Sequence, residues 1–101
     1  MSWKLLECMS TSELERKVRE LIKNPEYKRI LENAVRIERN PPNDEVKELG
    51  WEWHDVGAHP GRLTKLVSEG VVKVSYKSRR FTNYRLVDLD LIERVLKESA
   101  K

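Results

Sequence analysis

Glutamine is missing from these 101 residues, and cysteine occurs once. A lone Cys8 cannot close an internal disulfide, so the expected setting is reducing and the expected location cytoplasmic. No apolar run is long enough to span a bilayer, because Lys and Glu interrupt every helix-like stretch; no membrane partner is expected. The chain opens Met-Ser-Trp-Lys with acids soon after and shows no apolar signal region, so export is not expected. It has no glycine-rich phosphate loop, no nucleophile beside a base and no carboxylate pair set in a pocket. Ser78 and Thr82 fall in a turn and a strand with no histidine near them in sequence. The expectation is a protein that is not an enzyme and uses no cofactor. His54, Asp55 and His59 lie close together, but no cysteine pair and no helical His-x-x-x-His completes a ligand set, so no metal is expected. The missing glutamine, set against abundant Lys, Arg and Glu, resembles the composition of heat-adapted proteins, in which labile amides are few and ion-pair networks are favoured.

What the chain does have is an uneven charge distribution. From Ala58 to Val87 there are seven basic residues (Arg62, Lys65, Lys73, Lys77, Arg79, Arg80, Arg85) and one acid, Glu69. The segment carries +6, while the remainder, with 13 basic and 16 acidic residues, carries −3. Such a patch is the electrostatic footprint of a polyanion partner. The length allows one compact unit with a modest core.

Periodicity and caps place the elements. Ser10 and Glu13 have capping-box spacing, with Met9 and Leu14 as a hydrophobic staple, and Leu14, Val18, Leu21 and Ile22 recur at helical spacing. Asn24-Pro25 starts a second helix whose apolar stripe is Tyr27, Ile30, Leu31, Ala34 and Ile37, and which must end before Pro41-Pro42. Asn43 caps a short third helix from Asp44 to about Leu49, closed by Gly50. Trp51, Trp53 and Val56 suggest a short extended piece with one buried face, Trp53 being the tryptophan expected in the core. A fourth helix runs from about His59-Pro60 to Gly70, seated by Leu63, Leu66 and Val67. Val72, Val74 and Tyr76 alternate, as do Thr82, Tyr84 and Leu86; the two strands join through Lys77-Ser78-Arg79-Arg80. This makes a hairpin expected to be apolar inside and basic outside, with Lys73, Lys77 and Arg85 on one face. Asp88 caps a last helix with Leu91, Ile92, Val95 and Leu96 inward and Val87 at staple distance from Ile92.

Helix, short helix, helix, two-stranded wing, helix is the order of a winged helix-turn-helix domain. The run from Pro60 to Val72, with its Leu-x-x-Leu-Val-x-x-Gly-Val-Val pattern, resembles that superfamily's recognition helix leading into its wing. The resemblance covers about Tyr27 to Val87. It implies an α+β fold in which residues 25–101 form the winged domain with a C-terminal helix and residues 1–24 form an extra N-terminal helical extension. The segment Gly50–Ala58 departs from the pattern, because a helix-turn-helix turn is usually 3–4 residues.

The resemblance further implies a double-stranded DNA partner, in a transcriptional regulator or an accessory of DNA replication or repair. Arg62, Thr64, Lys65 and Ser68 would reach the major groove from the fourth helix, and Lys73, Lys77, Arg79, Arg80 and Arg85 would meet phosphates or a minor groove from the wing. About five phosphate contacts would give a log–log salt slope of about −4 to −5. Trp51 is the candidate for stacking on an unpaired base, which would suit single strands or junctions instead. The other alternative is a module that docks onto protein within a larger nucleic-acid-processing assembly. A homodimer is a further option, through either the Trp3–Lys23 or the Leu91–Leu96 helix.

Overall fold

Side-chain caps set where the helices begin, and each expected cap is closed in the computed structural model, which describes residues 10–99. Ser10 Oγ accepts from the Glu13 amide at 3.2 Å and starts α1 (Thr11–Leu21). Its expected staple partner for Leu14, Met9, lies outside the described residues. Asn24 Oδ1 accepts from the Glu26 amide at 2.9 Å, and Pro25 opens α2 (Pro25–Arg39), which stops short of the two prolines. Asn43 caps α3 (Asp44–Leu49) and His59 Nδ1 caps α4 (Pro60–Ser68), accepting from the Gly61 amide at 3.1 Å. After α4 come β1 (Val72–Lys77), β2 (Thr82–Leu86) and α5 (Leu89–Ser99), the last begun by Asp88 Oδ1 bonded to the Leu91 amide. Among the described residues the fold is α+β, with five helices and one two-stranded antiparallel sheet. No helix there is long and apolar enough to cross a membrane.

The apolar stripes converge on one core. Leu14 and Val18 of α1, Ile30, Leu31 and Ala34 of α2, Leu63 and Leu66 of α4, and Ile92 and Val95 of α5 are all buried. The apolar residues of the Leu91–Leu96 helix and the inward side of α1 are packed within this core, so a dimer through either helix would have to use its outer, charged face. Residues 1–9, the rest of the first dimer candidate, lie outside the described residues. Val87 does not staple Ile92 either; its side chain is 43% exposed, and its amide bonds to the Val71 carbonyl. Ion pairs close the rim. Arg19 joins Glu15 of its own helix at 3.0 Å to Glu98 of α5 at 2.5 Å, and Arg39 of α2 reaches Asp90 and Glu93 at 2.6 and 2.7 Å.

The segment after α3 is not the extended piece expected. Gly50 turns the chain at φ 113°, where a side chain would meet Ser75 Oγ and, at 2.5 Å, the Tyr84 carbonyl. Trp51 then pairs with Tyr84 through two backbone hydrogen bonds of 3.0 and 2.7 Å, flanking β2 on the side away from β1. There the extension ends. Asp55 Oδ2 accepts from the Glu52 amide, the Asp55 amide bonds back to the Glu52 carbonyl, and the chain reverses through turns. The two tryptophans therefore exchange their expected places: Trp51 is fully buried and Trp53 is 48% exposed. Glu38 fixes the buried one. Its Oε2 accepts from Trp51 Nε1 at 2.8 Å and from the Leu86 amide at 2.6 Å, joining α2 to β2 and to the segment that flanks it.

Candidate nucleic-acid interface

The hairpin register departs from simple alternation. Val72 faces Leu86, Lys73 faces Arg85 and Val74 faces Tyr84, but the next pair is Tyr76 with Asn83, leaving Ser75 as a bulge. Ser75 is pinned by a hydrogen bond from its hydroxyl to the Leu49 carbonyl. One extra residue inverts the parity of everything beyond it. Val74, Lys77, Thr82 and Tyr84 now share the face toward α4. Lys73, Tyr76, Asn83 and Arg85 share the other.

Two expectations are corrected by this geometry. The hairpin is not apolar inside and basic outside: Val74 and Tyr76 are 46% and 41% exposed, while Asn83 is buried and bonds through Nδ2 to the Gly50 carbonyl at 2.9 Å. Nor do Lys73, Lys77 and Arg85 form one row, since Lys77 sits across the sheet from the other two.

Between α4 and the hairpin lies an open groove of about 350 Å³. Val67, Val74 and Tyr84 give it apolar surface, and Thr64, Ser68, Lys77 and Thr82 are the polar groups lining it. Tyr84 is half-buried against the Trp51 ring, with centroids 5.6 Å apart, and burial pushes its hydroxyl pKa up. The turn beyond is built by Ser78. Its amide bonds to the Phe81 carbonyl at 2.9 Å, and its hydroxyl accepts from the Arg80 and Phe81 amides at 3.3 and 3.2 Å. This presents Arg79 and Arg80 to solvent at the tip.

The seven basic residues are not equivalent. Arg62 is ion-paired with Glu26 at the start of α2, and its guanidinium stands 5.5 Å from the Tyr27 ring centre. It is tethered toward α2 rather than free to read a groove. Lys65 stands 3.7 Å from Glu69, whose carboxylate is also bound by Lys17 of α1 at 3.1 Å. Lys17, reinforced by Lys65, holds the Glu69 carboxyl below the usual carboxylate range. The one acid of the basic segment is thus held between two lysines. Thr64 and Ser68 are exposed, though each hydroxyl bonds back along the helix, to Pro60 and Lys65. Arg85 is half-buried and donates to the Lys47 carbonyl of α3 at 2.8 Å. Lys73, Lys77, Arg79 and Arg80 are exposed and make no ion pair among the described residues.

Trp51 cannot stack on a base, because it has no exposed surface. The aromatic side chains that are accessible are others: Trp53, edge-on to His54, and Tyr76 with Phe81 near the hairpin tip. Alternation had assigned Tyr76 to the inside, and only the bulge at Ser75 shows otherwise. Near Trp53, His54 lies 3.5 Å from Glu52 and 3.5 Å from Asp55, each carboxylate meeting a different ring nitrogen. His59, once grouped with them, is spent as the α4 cap.

No protein-family model, curated protein or solved structure matches the chain.

Proposed function

We propose that this chain is a winged-helix protein that binds double-stranded DNA through α4 and the basic hairpin, as a regulator of transcription or an accessory of replication or repair. One observation carries the proposal: Lys73, Lys77, Arg79 and Arg80 are exposed, free of the molecule's own carboxylates among the described residues, and gathered on the hairpin beside α4. A protein that displayed these charges only for solubility would gain by pairing some of them, as it does on α1, α2 and α5. Four unpaired cations, Lys73 and Lys77 on opposite faces and two arginines at the tip, suit phosphates that pass on either side of one hairpin. Arginine at the tip adds the planar fork that grips phosphate oxygens in pairs. Thr64 and Ser68, on the exposed side of α4 and along the groove, are placed to follow a base edge or a sugar.

The test is a binding titration of labelled duplex over a salt series. Four neutralised phosphates give a log–log slope of about −3.5. Replacing Arg79 and Arg80 together by alanine should weaken binding to every sequence alike and flatten the slope to about −2. An unchanged slope removes the hairpin from the interface. No retardation of duplex at low salt overturns the proposal and favours an acidic protein surface as the partner.

A further inference from the structure

We propose that the Tyr76 end of the hairpin's outer face, the face turned away from α4, is a platform for unpaired bases beside the buried Asn83, so that the preferred ligand is a duplex carrying a single-stranded extension. This rests on the duplex proposal above and names its substrate more closely. The bulge at Ser75 is the device. Without it, Tyr76 would fall on the α4 side with Val74; with it, Tyr76 joins Lys73 and Arg85 on the outside. There Tyr76 is 41% exposed, and its ring stands 5.9 Å from that of Phe81, tilted by 34°. Phe81 is half-buried and held by the Ser78 turn, so it supports the Tyr76 ring from a fixed position.

Accessible aromatic surface that clusters, as Tyr76 does with Phe81, marks a binding surface better than a ring standing alone. The charges around it point to the occupant. Lys73 stands free on the same face and Arg79 and Arg80 crown the turn, while Arg85 is held by the Lys47 carbonyl, so a cover that is flat, apolar on its faces and anionic along its length fits best. Unpaired nucleotides have that combination: each base offers a π-face and each linkage a phosphate. The two hairpin faces then divide the ligand. The α4 side, with Lys77, Thr64 and Ser68, takes the duplex, and the Tyr76 side takes a strand that leaves it.

Fluorescence anisotropy with three labelled ligands tests this: a blunt duplex, the same duplex with a six-thymidine tail, and the tail sequence alone. The tailed duplex should bind about tenfold tighter than the blunt one, the low end of what base–aromatic stacking contributes. Tyr76→Leu, at an exposed position that tolerates the change, should abolish that gain and leave blunt-duplex binding unaltered, while Tyr76→Phe should keep it. A tail that adds nothing to wild-type binding, or a gain that survives in Tyr76→Leu, overturns the platform and leaves the duplex proposal standing. Tyr76-dependent binding of the tail alone, with no binding of blunt duplex, overturns the duplex proposal and supports the platform. Failure to bind any of the three overturns both.

Discussion

Replacing Glu38 by alanine should destabilise this protein by about 3 kcal/mol. Its carboxylate accepts two hydrogen bonds, from the Trp51 indole at 2.8 Å and from the Leu86 amide at 2.6 Å. Both donors belong to buried residues. A hydrogen bond to a charged group contributes about 1.5–3 kcal/mol, and a buried donor left without a partner costs about 1–3 kcal/mol. The two lost bonds set the upper range. Release of a half-buried charge from its own desolvation offsets part of it, and the net is about 3 kcal/mol. For a chain of this size that corresponds to a fall in melting temperature of roughly 15 °C.

Urea denaturation followed by far-UV circular dichroism reads the change directly. Glu38→Gln keeps an acceptor without the charge and should cost about half as much. A double-mutant cycle isolates the indole's share. In a Trp51→Phe background the Glu38→Ala cost should shrink by about 1.5 kcal/mol, because one of the two donors is already gone. If Glu38→Ala lies within about 0.5 kcal/mol of wild type, Glu38 is not the strut between α2 and the sheet. An unchanged cost in the Trp51→Phe background would instead assign the effect to Leu86 alone.

Gly50→Ala should cost about 2–4 kcal/mol, since a φ of 113° strains any side chain and the new methyl would meet the Tyr84 carbonyl at 2.5 Å; a normal melting curve would refute it. Stability should decline in acid. Arg19, with Arg94, holds Glu15 below its ordinary pKa of 4.5, and Lys17 does the same for Glu69, so the unfolded chain takes up these protons more readily than the folded one. Their contribution is full above about pH 4.5 and is lost as the pH falls through the lower folded-state values; urea melts at pH 7 and pH 3.5 should differ less in Glu15→Gln/Glu69→Gln than in wild type. If α4 approaches duplex, Glu26→Gln should free Arg62 and tighten duplex binding several-fold at low salt. Weaker or unchanged binding would place Arg62 outside the interface.

Local signals in the sequence were faithful because local chemistry decides them. Ser10, Asn24, Asn43 and Asp88 all cap as their spacing required, and the helical stripes all face the core. Sequence-local rules failed where a distant partner decides. Alternation alone cannot tell Trp51 from Trp53: the choice is made by Tyr84, whose backbone pairs with residue 51, and by Glu38, whose carboxylate takes the indole proton. The same holds for Val74 and Tyr76, because the bulge between them is fixed by the Leu49 carbonyl, 26 residues away from Ser75 in the chain. The charge-rich segment was legible as a total but not as a set of free cations. Glu26, which ties down Arg62, is 36 positions upstream, and nothing near Arg62 in sequence announces it.

These long-range contacts also determine what the hairpin can do. Glu38 and Trp51 fix β2 to α2, and the Ser75–Leu49 bond fixes β1 to the end of α3. Only the strand ends and the Ser78 turn project beyond these anchors, and they carry Tyr76, Lys77, Arg79 and Arg80. An anchored hairpin holds its cations at fixed separations, so less side-chain and loop entropy is lost when an anion docks than for the same charges on a mobile loop. Loosening the anchor should therefore weaken binding without touching a basic residue. Ser75→Ala, which removes the hydroxyl bond to Leu49 but leaves every charge in place, should lower duplex affinity about three- to fivefold with an unaltered salt slope. A change in the slope itself would mean that the bulge displaces a cation rather than stiffening the hairpin that bears it.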